Sequence, residues 1–266
     1  MKPLIILKIG GSVITDKQSE EPKVNFENLD RIAKEIAEGY NPDKMQMILI
    51  HGAGSYGHQI VKRTGIDKGI QTKRQLVDFA ETQRLQNELN CIVADSLIKN
   101  GLPAIPCQAS ASAVMDGKKL AAMNMDAIKG FLEIGLMPVL YGVPAYDRKQ
   151  KCSILSGDEI APYLAKHLKA KKIIHGTDVD GIFTADPKKD RNAKLIPLVT
   201  EKNFEEVRKS LSGSSVVDVT GGMMKKVSEV LAIAEEGIES QIVNALTDGN
   251  VKRALMGEIF GTIIKI

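Results

Sequence analysis

The 266-residue sequence contains no tryptophan, and aromatic residues make up only 4% of it. Proteins that bind single-stranded nucleic acids by stacking need aromatic side chains, so this class is disfavoured. Charge is nearly balanced, with 36 lysines and arginines against 33 aspartates and glutamates. The densest basic cluster, at 169–172, is short and typical of a solvated helix end. We therefore expect no nucleic-acid partner.

Cysteines and long apolar runs are also scarce. Cys91, Cys107 and Cys152 lie far apart, and no pair has the spacing of metal ligands. This usage predicts reduced thiols in a cytoplasmic protein. No apolar stretch is long enough for a membrane-spanning helix, and the N-terminal segment lacks the features of a cleavable signal. We expect a cytoplasmic location and no membrane partner.

Two common nucleotide-binding motifs are missing or incomplete. The sequence has no G-x-x-x-x-G-K-[ST], which excludes a P-loop protein. Residues 52–57 match G-x-G-x-x-G by letter, but a polar segment follows them rather than an apolar helix. Dinucleotide binding is therefore disfavoured.

Short apolar runs alternate with segments of helical periodicity throughout the chain. Strands are predicted at 4–9, 45–50, 103–107, 137–140, 172–175, 241–245 and 258–264, and helices at 25–39, 71–100, 124–135, 156–169, 201–211 and 220–236. Hairpins are predicted around 116–117 and 147–150, a long polar connection over 182–197, and a loop with a short strand over 212–219. The alternation predicts an α/β fold, a three-layer αβα sandwich with an open, mainly parallel central sheet.

We find no linker-like segment and no internal repeat, so residues 1–266 are predicted to form a single domain. It divides near Tyr141 into two functional halves, 1–141 and 142–266.

Glycines follow or begin the predicted elements at five places. These are Gly10-Gly11, 52–57, Gly157, 176–181 and Gly221-Gly222. Because the carboxyl ends of parallel strands share one edge of a sheet, we expect these turns to meet in one crevice. Lysines and a carboxylate accompany them, which suits phosphoryl transfer, a reaction that needs positioning and positive charge.

Individual residues allow simpler interpretations. Lys8 interrupts a buried run and needs a partner or a function, but it could also be a lysine that extends its charge to solvent beside an ordinary turn. His58 taken alone could be a surface loop histidine. We interpret His51, His167 and His175 as structural.

Four segments resemble the amino acid kinase superfamily, in that family's order and over essentially the whole chain. They are Lys8-Ile9-Gly10-Gly11-Ser12, Ser156-Gly157-Asp158, residues 177–183, and residues 218–223 with Lys226. Within the superfamily, Thr15-Asp16-Lys17 and residues 51–58 (HGAGSYGH) are similar to the isopentenyl phosphate kinases. The resemblance implies in-line transfer of the γ-phosphoryl group of ATP, with Mg²⁺, to isopentenyl phosphate. The product would be isopentenyl diphosphate, in a mevalonate route to isoprenoids.

The resemblance also implies roles for the matching residues. Lys8 and Lys226 would hold the transferring phosphoryl group, Asp158 would organise both lysines, and His58 would bind the acceptor's phosphate. The implied catalytic residues are Lys8, Lys17, His58, Asp158 and Lys226. The implied nucleotide site comprises Lys8, Gly10, Gly11, Ser12, Gly54, Asp178, Gly181, Phe183, Asp186, Lys188, Gly222 and Lys226. No side chain is assigned as a metal ligand.

The implied acceptor site comprises Ala53, Gly54, His58 and Gly157. Ala53 departs from the glycine expected in many relatives, which bears on how closely the loop wraps the acceptor phosphate. An isoprenoid tail needs an apolar pocket, for which Phe79 and Ile154 are candidates, with Leu76 and Leu85; each could equally be ordinary core.

Two alternatives remain open at this point. The protein could be another kinase of the superfamily, acting on fosfomycin, glutamate, acetylglutamate or UMP. It could also be a nucleotide-binding module without catalysis, although Lys8, Asp158 and Lys226 together argue against that. The resemblance further implies a homodimer formed through the N-terminal half.

Overall fold

Alternating strands and helices build a central eight-stranded sheet, in a computed structural model that describes residues 2–16, 19, 21–185, 187, 190–207 and 237–265. The strands are β1 Leu4–Ile9, β2 Gln46–His51, β3 Ala104–Pro106, β4 Ala113–Asp116, β5 Lys119–Met123, β6 Met137–Tyr141, β7 Val143–Asp147, β8 Lys151–Leu155, β9 Lys172–Thr177, β10 Ile182–Phe183, β11 Leu195–Ile196, β12 Leu198–Val199, β13 Glu239–Asn244 and β14 Thr262–Ile264. The α-helices are α1 Gly11–Ile14, α2 Phe26–Gly39, α3 His58–Thr64, α4 Lys73–Lys99, α5 Asp126–Glu133, α6 Gly157–Leu168 and α7 Asn250–Leu255.

The central sheet has the strand order β12-β14-β13-β9-β1-β2-β6-β3. The six strands from β13 to β3 are mutually parallel, and β14 runs antiparallel to β13. β1 lies between β2 and β9. The next strands of the chain lie on the β2 side of β1, and the later strands from β9 onward lie on its other side. Such a reversal of strand order opens a crevice beyond the carboxyl ends of the strands.

Both faces of the sheet are covered, which confirms the predicted three-layer sandwich. On β1, the neighbouring residues Ile6 and Leu7 are both fully buried because successive side chains point to opposite faces. Leu7 belongs to a core built with α2, α4 and α7, and Ile6 to a second core built with α5 and α6. A strand apolar on both faces therefore sits in the middle of the protein.

The helix starts follow the local sequence signals. The Asn25 side chain accepts a hydrogen bond from the Asn28 amide at 3.1 Å and caps α2. α4 begins with a capping box between Thr72 and Gln75, and α6 with one between Ser156 and Glu159. The cap of α6 fixes the direction in which the first turn of that helix leaves the sheet.

The two predicted hairpins both form, but they also join each other. β4 pairs with β7, which makes a separate four-stranded sheet of order β5-β4-β7-β8. Asp147 at the end of β7 is fully buried and accepts hydrogen bonds from both hairpin turns. The sequence pattern contains each hairpin but not the long-range pairing between them.

Three other expectations need correction or lie outside the described residues. The segment predicted as a polar connection over 182–197 contains the antiparallel pair β10–β11. α7 was not predicted because six residues give too short a periodic pattern. The strand and helix predicted over 212–219 and 220–236 lie outside the described residues. Within the described chain, no helix combines the length and apolar character needed to cross a membrane.

Candidate active site

The turns after β1 and β2 touch each other through their backbones. A Cβ placed on Gly11 would lie 2.3 Å from the amide nitrogen of Gly54, and one on Gly52 would lie 2.4 Å from the amide nitrogen of Gly11. Real Cβ atoms do not approach so closely, so this contact requires glycine on both turns. Gly54 also has a φ of +51°, which favours glycine. The structure therefore brings Gly10, Gly11 and Gly54 together, as the sequence predicts.

Hydrogen bonds lock these turns in place. The Gly10 amide donates to the Gly176 carbonyl at 2.9 Å, which ties the end of β1 to the end of β9. The Thr15 hydroxyl donates to the Gly11 carbonyl at 2.8 Å and accepts from the Ser55 amide at 3.1 Å. Three neighbouring strand ends thus form one rigid rim around the crevice.

Several amides on this rim have no acceptor in the part of the chain that the structure describes. The N–H groups of Gly11, Ser12, Ala53 and Gly54 have no hydrogen-bond acceptor within the described residues. Backbone amides left open at glycine-rich turns form sites for anions such as phosphate. The rim offers such groups from both turns.

Lys8 and Asp158 form an ion pair at the base of the crevice. Lys8 Nζ lies 2.7 Å from Asp158 Oδ1, and only 5% of the Lys8 side chain is exposed, against 26% for Asp158. Asp158 is in the first turn of α6, and a Cβ on Gly157 would lie 3.6 Å from Lys8 Cε. Gly157 therefore lies directly beside the lysine side chain. Lys8 has a charged partner, which excludes the interpretation that it merely extends to solvent.

His58 lies at the first position of α3, directly after the second glycine turn, and its side chain is exposed. Gly57 precedes it, and a Cβ there would lie 2.2 Å from Gln86 Nε2 on α4 and 2.7 Å from the Ala53 Cβ. The close packing of Gly57 fixes where α3 begins. The structure therefore places Ala53, Gly54 and His58 on one continuous loop.

The predicted tail residues lie on neighbouring elements. Phe79 on α4 and Ile154 on β8 are both partly buried. One turn after Phe79, Gln83 Nε2 donates to the Pro144 carbonyl at 2.9 Å, and Pro144 is the cross-strand partner of Ile154. Leu76, by contrast, is 58% exposed. The structure thus brings Phe79 and Ile154 to the same region and leaves Leu76 at the surface.

The described part of the predicted nucleotide site follows β9. Asp178 is partly buried, directly beyond the end of that strand, and Phe183 is on β10. Gly181 has a φ of +152°, and a Cβ there would lie 2.4 Å from the Thr262 hydroxyl oxygen. This glycine therefore lets the segment pack against β14. Lys17, Asp186, Lys188, Gly222 and Lys226 lie outside the described residues.

Comparison with known proteins gives consistent matches. The chain matches the amino acid kinase family over residues 3–244. The chain belongs to the amino acid kinase family. It is 41% identical over 261 residues to an isopentenyl phosphate kinase of Methanothermobacter thermautotrophicus, with 96% of each chain covered. It is 36% identical over 268 residues to the isopentenyl phosphate kinase of Methanocaldococcus jannaschii, with 98% of each covered. A solved structure of isopentenyl phosphate kinase has a TM-score of 0.87 at 36% identity, covering 98% of this chain and 100% of that one.

In this member of the amino acid kinase family, a polar cluster that the sequence did not reveal lies beside the loop at 52–57. It consists of His51, Asn87, Asn90 and Tyr141. Burial lowers the pKa of His51 by more than the hydrogen bonds with Gly52 and Asn90 raise it, so the pKa lies below its ordinary value. One signal was available: Asn90 is a polar residue on the buried face of a helix, three residues after Asn87.

Proposed function

We propose that this protein transfers the γ-phosphoryl group of ATP to isopentenyl phosphate and produces isopentenyl diphosphate. The observation that carries the proposal is the 41% identity, over 96% of both chains, to an isopentenyl phosphate kinase. The crevice supports it, because a buried lysine, a carboxylate and open backbone amides meet beyond the strand ends. These groups can bind and orient phosphates.

Lys8 is proposed to stabilise the transferring phosphoryl group. Charge spreads over the equatorial oxygens of that group in the transition state, and a fixed positive charge stabilises it. With 5% of its side chain exposed, Lys8 acts where solvent screening is weak. Asp158, at 2.7 Å, orients the ammonium group and offsets the cost of burying it. Lys17 and Lys226 are proposed as further phosphate contacts, from the family resemblance alone.

The acceptor side needs binding groups rather than a base. A phosphate monoester is largely dianionic at neutral pH, so its oxygen is already a nucleophile. The open amides of Ala53 and Gly54 are proposed to bind that phosphate, and His58 to donate a hydrogen bond to it. Gly157 is proposed to border this site, and Phe79 and Ile154 to contact the apolar tail.

ATP is proposed to bind along the segment that follows β9. Gly10, Gly11 and Ser12 would contact its phosphates, and Asp178, Gly181 and Phe183 would line the nucleotide. Asp186, Lys188 and Gly222 keep the roles that the resemblance implies. In this reading, residues 142–266 form the nucleotide half and residues 1–141 the acceptor half.

Mg²⁺ is proposed to enter with ATP. The described residues contain no group of three or more His, Cys, Asp or Glu side chains that could hold a metal, and Asp158 is paired with Lys8. The described residues fit Mg²⁺ nonetheless, because substrate phosphates and water commonly hold this ion in place of a protein cage. When bound, the ion supplies positive charge to the phosphates.

Three further properties are proposed on the sequence pattern and the resemblance. They are a homodimer formed through the N-terminal half, a cytoplasmic location and a place in a mevalonate route to isoprenoids. The free thiols of Cys91, Cys107 and Cys152 support a reducing compartment.

A coupled assay of ADP release tests the proposal, with isopentenyl phosphate compared against fosfomycin, glutamate, acetylglutamate and UMP. We expect the highest kcat/KM with isopentenyl phosphate. His58→Ala should abolish turnover of isopentenyl phosphate while ATP still binds, because the variant loses a phosphate ligand but no nucleotide contact.

His167→Ala is the matched control, since His167 is an exposed helical histidine whose ring stacks on Tyr163 one turn earlier in α6. It should keep wild-type turnover. A higher kcat/KM for another acceptor would overturn the substrate, and near-normal turnover by His58→Ala would overturn the role of His58.

A further inference from the structure

We propose that His51 is a positioning residue that aims the Ala53 amide at the acceptor phosphate by holding the Gly52 carbonyl. This inference rests on the proposed function, because it assigns the acceptor phosphate to the loop at 52–57. His51 ends β2 directly before that loop, and it is 1% exposed. It does not itself contact the crevice, so its effect on the reaction passes through the backbone.

The contact with Gly52 fixes where the imidazole carries a proton. His51 Nδ1 lies 3.1 Å from the Gly52 carbonyl oxygen. A carbonyl oxygen only accepts hydrogen bonds, so Nδ1 must be the donor. The doubly protonated ring satisfies both neighbours, because Asn90 Oδ1, which likewise only accepts, lies 3.0 Å from Nε2. A neutral ring with its proton on Nδ1 keeps the bond to Gly52 when the Asn90 amide turns its NH₂ group toward Nε2.

Peptide geometry carries this contact into the crevice. The Gly52 carbonyl and the Ala53 N–H belong to one planar peptide unit, and no cis peptide bond occurs among the described residues. In a trans peptide these two groups point in opposite directions. Holding the carbonyl toward the buried ring therefore turns the Ala53 N–H away from it. That N–H has no acceptor within the described residues, so it is available to a ligand.

The ring itself is held from two sides. Its Nε2 lies 3.0 Å from Asn90 Oδ1 on α4, and Asn90 Nδ2 donates to the Val139 carbonyl at 3.3 Å. The ring stacks on Tyr141 at the end of β6, with centroids 5.6 Å apart and planes 14° apart, and the Tyr141 hydroxyl donates to Asn87. These contacts fix the ring plane, so α4 and β6 determine the orientation of the acceptor loop.

The backbone around Gly52 limits the alternatives. A Cβ on Gly52 would lie 2.4 Å from the Gly11 amide nitrogen, and the Gly52 amide donates to the Ile9 carbonyl at 3.0 Å. The residue is therefore anchored before its carbonyl. Without the Nδ1–H donor, the peptide unit between Gly52 and Ala53 can still rotate, and the Ala53 N–H loses its direction.

Two variants of similar size separate positioning from packing. In His51→Asn, the side-chain amide nitrogen can take the place of Nδ1 and keep the donor to Gly52. In His51→Gln, it reaches toward the place of Nε2 and keeps only the contact with Asn90. Both variants lose the stacked ring, so their packing defects are alike.

We expect the KM for isopentenyl phosphate to rise about tenfold or more in His51→Gln, the fold-change for one lost hydrogen bond to a charged group. It should rise by no more than about threefold in His51→Asn, with the KM for ATP unchanged in both. An equal rise in both variants, or a parallel rise for ATP, would show a structural role alone and overturn the proposal.

Histidine ¹⁵N NMR of the wild-type protein gives a second reading that needs no turnover. The His51 signal, assigned by its loss in His51→Asn, should show a protonated Nδ1. A ring protonated only on Nε2 would overturn the proposal, even if the Gln variant does not fold. If wild-type protein phosphorylates a different anionic acceptor, the proposed substrate fails while the two variants still test His51 with that acceptor.

Discussion

Replacing Asp147 with asparagine tests the link between the two hairpins. The buried carboxylate accepts five hydrogen bonds: Oδ1 from the amides of Gly117 (3.2 Å), Lys149 (2.8 Å) and Gln150 (3.1 Å), and Oδ2 from the Lys118 amide (2.8 Å) and the Ser153 hydroxyl (2.9 Å). Burial raises the pKa of this carboxyl, but the hydrogen bonds from these backbone amides and the hydroxyl outweigh it and hold the pKa well below its ordinary value.

The expected magnitude follows from these bonds. Asparagine can keep its oxygen toward the three donors of Oδ1, but each of those bonds loses its charge, which costs about 1 kcal/mol apiece. Its NH₂ group then faces the Lys118 N–H, which is left without an acceptor. Together these changes should lower the free energy of unfolding by about 4 kcal/mol. The melting temperature should fall by about 10 °C.

Urea unfolding at neutral pH measures the change, and Asp116→Asn is the control. Asp116 lies at the turn of the β4–β5 hairpin, and its partly exposed carboxylate pairs with Lys149 Nζ at 3.2 Å. The control should lose less than about 1 kcal/mol. If Asp147→Asn loses no more than the control, the carboxylate does not hold the hairpins together.

The pH dependence has a definite sign. Because the pKa of Asp147 is lower in the folded than in the unfolded protein, its contribution is complete above the unfolded pKa, about 3.9. It is lost as the pH falls toward the folded pKa. The difference in unfolding free energy between wild type and Asp147→Asn should therefore shrink below about pH 4. A difference that grows in acid would contradict this assignment.

Two further predictions concern the crevice. Lys8→Met should lower kcat for phosphoryl transfer by about a hundredfold or more while ATP still binds, because a buried fixed charge is lost. Single-turnover kinetics and a separate ATP-binding measurement check this, and a near-normal rate would contradict it. Gly11→Ala should abolish activity and lower the melting temperature, because its Cβ would lie 2.3 Å from the Gly54 nitrogen. Gly130→Ala, with nothing within 4 Å of its Cβ, is the control and should be neutral or stabilising, and equal effects of the two substitutions would refute the reasoning.

Local patterns predicted much of the fold. Buried strands such as β1 are continuous apolar runs, and the caps at Asn25 and Ser156 mark helix starts, because these signals lie within a few residues of one another. The hairpins β4–β5 and β7–β8 were predicted for the same reason. The pairing of β4 with β7 through Met115 and Asp147 was not predicted, because pairing between segments about thirty residues apart leaves no local pattern.

The same division holds for the crevice. The sequence by itself determined that glycine turns follow the strands, that Lys8 precedes the first of them, and that the motifs are those of the amino acid kinase family. Parallel strands share an edge, so the meeting of these turns could also be deduced.

Only the tertiary structure decided which atoms meet. It paired Lys8 with Asp158 across 150 residues and placed His51 between Gly52 and Asn90. It also left the amides of Ala53 and Gly54 without acceptors among the described residues. From the sequence alone, His51 was interpreted as a structural residue at a strand end, because a histidine in a buried run gives no sign of its partners. Partners that come from a distant helix and a neighbouring strand are set by packing, and packing is a property of the folded chain.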